Sequence, residues 1–313
     1  MDATAVLECG RCELVNLYGL MQLCEFYPTK NILPDEGGVP SQYLADIVAR
    51  QHDRMTVYMA TQHMRRFVSR TLPEIRSTFV LVTGCCDMTT PAEALTRPQL
   101  RRLLASPLLI KWYAQNLVSV EPKIAHWPIG IHWPIGRGLV PGAPLSPLES
   151  EALFLSVRAA APAVRIPLIY SRLTMRNDRF SDRWAALDNI PAELFAGGAD
   201  YVASAGSAKP TPMLEFWRGL GAHAFCLSPF GIGLDCYRTW EALAMGAIPI
   251  VRRGSRGPFD RLYEGLPVLA VSEWRDVTRE LLDRTLREFG ARFDFNSLDK
   301  IRLSYWRNLL EQT

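Results

Sequence analysis

The sequence predicts an α/β fold in two domains, residues 1–150 and 151–313, on three observations. At 313 residues the chain is long enough for two cores of roughly 150 residues each. Its apolar runs are short and nearly continuous, as strands buried on both faces are. In the second half those runs alternate with helical stretches, the pattern of parallel strands joined by helical crossovers.

In the first domain, Thr56–Ala60 and Thr78–Thr83 read as buried strands, and Ser41–Arg50 and Arg97–Ala105 as helices. The run His126-Trp-Pro-Ile-Gly130 recurs as His132-Trp-Pro-Ile-Gly136, and its prolines exclude a regular helix. A loop is therefore expected there, with Trp127 and Trp133 serving either as packing or as a wall on which a sugar stacks. The Pro/Gly/Ala-rich run Pro141–Pro147 marks a linker or long loop. Beyond it come five strand–helix units. Leu168–Ser171 precedes Asp178–Leu187, Tyr201–Ala203 precedes Pro212–Leu220, and Ala224–Ser228 precedes Asp235–Met245. Ile248–Val251 then leads to Phe259–Leu262, and Pro267–Val271 to Glu273–Phe289. A last amphipathic segment, Ser297–Leu310, carries Tyr305 and Trp306 and is suited to dock on the first domain.

Composition narrows the function classes. With 48% hydrophobic and 21% charged residues the chain is globular, not disordered. Thirty-five basic against 32 acidic side chains leave +3, too small an excess for a nucleic-acid partner. No basic region followed by an apolar run opens the chain, and no stretch reaches the ~20 apolar residues of a membrane span. A cytoplasmic location is expected. Seven cysteines, an odd number, do not make a disulfide framework, which fits a reducing compartment. Cys9 and Cys12 form a lone Cys-x-x-Cys, the five histidines are scattered, and no Asp-x-Asp pair exists, so no metal is expected.

Chemistry concentrates where the strand ending at Ser228 meets a loop with Gly231 and Gly233 and a helix opening near Asp235. Backbone N–H groups at a helix start favour an anion, and glycine lets a phosphate approach closely. Asp235, Arg238 and Glu241, three apart, span one helix face of about 120°. On it Arg238 can fork onto a diphosphate and Glu241 can accept from two ribose hydroxyls. The alternative is a capping Asp235 and an Arg238 paired with Glu241 or Asp235 on a solvated face.

The run Pro-x-Gly-x-x-x-Asp-x-x-Arg-x-Trp-Glu-Ala-Leu-x-x-Gly-x-Ile-Pro-Ile, starting at Pro229, resembles the exostosin-like glycosyltransferases. So does Leu262-Tyr-Glu-Gly-Leu-Pro-Val-Leu-x-Val-x-x-Trp274. The chain is particularly similar to the small relatives encoded by chloroviruses, one of them a xylosyltransferase. The likeness is specific over Ser228–Trp274 and extends to Phe79–Asp87 and Lys111–Asn116. It implies two Rossmann-like domains facing a cleft (the GT-B type), with the acceptor on the first and a nucleotide-sugar donor, UDP-xylose in the nearest case, on the second. It also implies inversion at the anomeric carbon without an essential metal. Arg238 is then matched to the donor phosphates, Glu241 to the ribose and Ser255 to the donor; Tyr237 stands where exostosins often carry serine.

Asp87 lies just past a strand end, where a cleft-facing base for the acceptor hydroxyl would sit; its alternative is a turn cap before Thr89-Thr90-Pro91. Asn116 either binds acceptor hydroxyls or is a satisfied loop amide. Arg172, Arg179 and Arg183 surround the first crossover of the second domain, as a donor-side phosphate clamp or a solvated stripe. Two rival functions remain. A nicotinamide-dependent oxidoreductase would use Gly231-x-Gly233 and set Arg252-Arg253 on a 2′-phosphate, although Cys236 stands where the fingerprint wants a small residue. A non-catalytic sugar-binding protein would keep the scaffold without the base.

Overall fold

The computed structural model describes residues 3–28, 41–133, 145–173, 175, 178–198, 212–254, 257–290 and 297–313. Helices α1 (Ala3–Cys9), α2 (Leu17–Gln22) and α3 (Ser41–Ala49) precede a sheet of β1 (Met55–Ala60), β2 (Phe79–Gly84), β3 (Leu109–Ala114) and β4 (Ile124–His126). Its strands are parallel and lie in the order β1-β2-β3-β4, and every residue of β2 is buried. Helix α4 (Arg97–Ala105) starts on a capping box in which Thr96 and Gln99 satisfy each other's backbone N–H.

Helix α5 (Pro147–Ala159) starts on a second capping box, Ser146 with Glu149, with Pro147 in its first turn. The expected linker ends on this cap, and its residues 141–144 lie outside the described residues, as do 134–136 of the second His-Trp-Pro-Ile-Gly run. The domain limit expected at residue 150 falls inside α5. There the Glu151 carboxylate accepts from the Glu13 and Leu14 amides at 3.0 and 2.8 Å, holding the chain's opening segment.

The second sheet comprises β5 (Ile166–Tyr170), β6 (His223–Leu227), β7 (Ile248–Arg252) and β8 (Leu269–Val271), again parallel and in that order. Between its strands lie α6 (Asp182–Asn189), α7 (Met213–Ala222) and α8 (Tyr237–Met245), and α9 (Arg279–Phe289) follows β8. Helix α6 begins four residues later than the apolar pattern suggests. The Asp178 carboxylate is the reason: it accepts from the Asp182, Arg183 and Trp184 amides at 2.9–3.2 Å and so caps the first turn. The expected strand Tyr201–Ala203 lies outside the described residues. In its neighbourhood, however, Phe195 forms a parallel bridge to Ile169, with the Ala196 amide donating to the Ile169 carbonyl at 2.9 Å. The chain thus leaves β5 toward one edge and returns to β6 on the other. The crevice where that order reverses opens between the carboxyl ends of β5 and β6, the place where α/β sheets bind ligands.

The final helix, α10 (Leu303–Glu311), packs back across the molecule. Trp306 meets Trp127 edge-on at 5.3 Å and Trp240 at 6.5 Å, and the Thr313 hydroxyl bonds the Tyr113 phenol at 2.7 Å. One buried cluster therefore runs from Val80 and Val82 under the first sheet to Leu243 and Val251 under the second. The molecule is α/β with two parallel four-stranded sheets, compatible with two Rossmann-like domains. No helix among the described residues is long and apolar enough to cross a membrane.

Candidate functional site

The segment after β6 builds the centre of the cleft. Ser228 ends the strand buried, its amide on the Ile250 carbonyl at 2.9 Å and its hydroxyl on Thr239 at 2.8 Å, so it anchors the loop from within. The Gly231 amide closes a turn on the Gly233 carbonyl at 3.0 Å. Gly233 has a steric reason of its own. A Cβ there would stand 3.0 Å from Asp87 Oδ1 and 3.1 Å from Asn116 Nδ2, so its missing side chain admits residues of the first sheet rather than a phosphate.

Helix α8 then opens at Tyr237, and no side chain caps its start, Cys236 being extended there. This leaves the helix's first turn electropositive. Behind it, the Nε and Nη1 of Arg238 are buried without any hydrogen-bond partner. Arg183 lies close enough for the two cations to repel; it is buried, and its Nε donates to the Phe230 carbonyl at 3.3 Å. A desolvated guanidinium lacking an acceptor is unfavourable unless an anion completes it.

Asp235 does not point into the cleft as expected. Its carboxylate is buried and accepts from the Ile129 amide at 2.7 Å, the Tyr263 phenol at 2.8 Å and the Trp240 indole at 2.9 Å. Burial pushes its pKa up to about 6 despite these donors. It is a brace between the two halves, neither helix cap nor ligand group. Glu241 is buried as well, with Oε1 held by the Trp217 indole at 3.2 Å; burial raises its pKa while Trp217 and Arg238 lower it.

Across the cleft, β2 ends at Gly84 and Cys85 takes φ +55°. Gln115 and Asn116 donate to the Cys86 carbonyl at 3.3 and 3.2 Å, which fixes the turn carrying Asp87. Asp87 is itself solvent-exposed; desolvation by its surroundings raises its pKa, and Arg179 opposes the rise. Of its two expected roles Asn116 takes that of the satisfied amide, not the acceptor ligand: it is 1% exposed, and its Oδ1 accepts from the Leu234 and Asp235 amides at 3.1 and 2.8 Å. It clasps the two loops together and has no face left for a sugar.

Of the two readings of Trp127 and Trp133, the structure takes packing. Both are 1% exposed, Trp127 wedged between Tyr113 and Trp306, Trp133 between Phe154 and Trp217, so they pack and do not form a stacking wall. Arg179 does not join a phosphate clamp in this conformation, because it forms a bidentate ion pair with Glu93 of the first half. Arg172 is exposed with its guanidinium 5.8 Å from the Tyr170 ring centre. The Tyr237 ring lies 5.0 Å from that of His132, tilted by 37°, and burial raises its pKa. Ser255 lies outside the described residues.

Two polar groups at strand ends were missed. Ser171 directly follows β5 and its hydroxyl is buried without a partner; Gln62 follows β1 and both polar atoms of its amide are buried and unpartnered. The rule that ligands gather at the carboxyl ends of parallel strands singles out both positions. Among the described residues no group of three or more His, Cys, Asp or Glu side chains is placed to hold a metal ion. No protein-family model matches the chain, and no curated protein matches it.

Proposed function

We propose that the chain is a glycosyltransferase of the GT-B type that moves a sugar from a nucleotide-sugar donor to a glycan hydroxyl, with inversion and without an essential metal. The observation that carries this reading is the half-buried Arg238, whose Nε and Nη1 have no hydrogen-bond partner, at an uncapped helix start in a cleft whose other wall presents Asp87. Arg238 and the α8 start suit the diphosphate of the donor, and Asp87 suits the acceptor. In the transfer Asp87 takes the proton of the acceptor hydroxyl as its oxygen attacks the anomeric carbon. The bond from that carbon to the diphosphate breaks, and the negative charge left on the phosphate oxygen falls to Arg238 and the helix start. Xylose and a UDP carrier rest on the family resemblance alone.

Hydride transfer draws no comparable support. Arg252 pairs with Asp182 at 3.1 Å and Glu273 at 3.4 Å, and Arg253 with Asp260 at 3.8 Å, so the two arginines suited to a 2′-phosphate are engaged. Calorimetric titration with UDP, GDP and NADPH in excess chelator tests the reading, together with release of nucleotide from a panel of nucleotide sugars. A nucleoside diphosphate should bind, and Arg238→Ala should weaken it about ten- to a hundred-fold, the effect of lost charge-assisted hydrogen bonds. Binding of NADPH alone, or nucleotide affinity indifferent to Arg238, would defeat the proposal.

A further inference from the structure

An ion pair joins the two halves beside Asp87. Arg179, just before α6, sets its guanidinium on the Glu93 carboxylate of the first half, Nη1 on Oε2 at 3.4 Å and Nη2 on Oε1. Each partner is fixed from its own side. The Glu93 carboxylate also accepts from the Thr89 amide at 2.7 Å and the Thr89 hydroxyl at 2.9 Å, and Thr89 lies two residues past Asp87. The Arg179 guanidinium lies 5.2 Å from the centre of the Phe180 ring. Phe180 in turn meets Phe230 edge-on at 6.1 Å, in the loop that leads to Gly231. The bridge thus runs from the donor-side loop to the turn that carries Asp87. Its side chains are 41% and 34% exposed, and a pair so open to water contributes little stability, so its worth is geometric.

Asp87 meets the second half at this bridge and at Gly233, where a Cβ would stand 3.0 Å from its Oδ1. Arg179 and Asp87 lie within electrostatic reach of each other. The other titratable groups within reach of Asp87 are the Cys85 and Cys86 thiols of its own turn, with the Cys236 thiol and the Tyr237 phenol across the cleft. Burial raises the pKa of all four, so they are neutral near physiological pH. Among the described residues Arg179 is therefore the charge that opposes the desolvation of Asp87.

We propose that Arg179 is a positioning residue for the transfer, its fork on Glu93 fastening the turn that bears Asp87 against the donor-side loop. This rests on the reading of Asp87 as the base, and it assigns Arg179 to the acceptor side of the reaction.

The test uses the full chain as wild type, Arg179→Gln, Glu93→Gln and the two changes together, with Asp87→Asn as reference. Three quantities are read: UDP affinity by calorimetry, the rate of sugar transfer, and the titration of the Asp87 carboxyl by carbon NMR, its signal assigned by its loss in Asp87→Asn. Every variant should fold and bind UDP like wild type. Each single change should slow transfer about ten-fold or more, since misplacing a reacting group by about 1 Å costs up to about a hundred-fold. The double variant should be no slower than the slower single one, because the two changes remove one contact. Asp87 should titrate at higher pH in Arg179→Gln than in wild type, and the acidic limb of the kcat/KM profile should move with it. Wild-type rates in both single variants, losses that add in the double variant, or an Asp87 titration indifferent to Arg179 overturn the positioning role. Weakened UDP binding by Arg179→Gln also overturns it, in favour of a contact with the donor phosphates. If Asp87→Asn transfers at the wild-type rate, or wild type transfers no sugar, the reading of Asp87 falls and the role of Arg179 with it.

Discussion

Asp87 sits under two opposed influences, a desolvation that raises its pKa and the Arg179 charge that lowers it. A carboxylate so placed is a better proton acceptor than a free one, and Asn keeps its shape without its basicity. Asp87→Asn should leave nucleotide affinity near wild type and slow sugar transfer by about 10²–10⁴-fold. Transfer at a normal rate by the folded variant would remove Asp87 from the chemistry. At this scale the sequence was legible where a residue's position follows from its distance to a strand end, as for the placement of Asp87 and of the Gly231 loop. It was illegible where the role depends on a partner far along the chain. Asn116 could be placed after a strand, but that its oxygen faces amides 118 and 119 positions away is a property of the assembled sheets. Asp235 shows the same limit: its spacing to Arg238 and Glu241 marks a shared helix face, whereas Tyr263 and Ile129 decide where its carboxylate goes.

At the level of elements, α8 has an open start and a closed end. It stops at Gly246, φ +83°, whose amide and the next fold back on Leu243 and Ala242. A Cβ there would lie 2.6 Å from the Arg165 guanidinium, which donates to the Met245 carbonyl at 2.8 Å and also to that of Gly246. Gly246→Ala should therefore cost about 1–3 kcal/mol in denaturant unfolding, through left-handed strain and displacement of Arg165. Undiminished stability would mean that Arg165 moves aside freely. This helix end was readable from a glycine between a helical pattern and a strand. So were the strand–helix alternation and the extent of α4, because short apolar runs and caps are local signals. The start of α6 was not, because the Asp178 cap and the left-handed Ser181 interrupt the pattern without breaking it.

Across the whole molecule, the two sheets share a core and a buried carboxylate. Separate melting of the halves would expose the Trp127–Trp306 contact and strip Asp235 of the Ile129 amide. One calorimetric transition is expected, and two resolved ones would show that the halves hold their cores independently. The same unfolding experiment reads Asp235. Its pKa is 3.8 ordinarily and about 6 in the fold, so the folded state binds the proton more tightly than the unfolded chain. Its contribution is fully present below about pH 4 and is lost as pH rises through about 6, by about 3 kcal/mol. Relative to Asp235→Asn, wild type should lose that much stability from about pH 4 to about pH 7. A constant gap would mean that Asp235 keeps its ordinary acidity.

The placement of α10 bears on how the chain folds as it is made. Trp306, which closes over Trp127 beside the first sheet, is synthesised roughly 180 residues after it. Amino-terminal domains commonly fold while the remainder is still being synthesised. Here the first sheet is made before α10 and keeps an indole face uncovered until that helix follows. During that interval the uncovered face is apolar surface of the kind that draws nascent chains together.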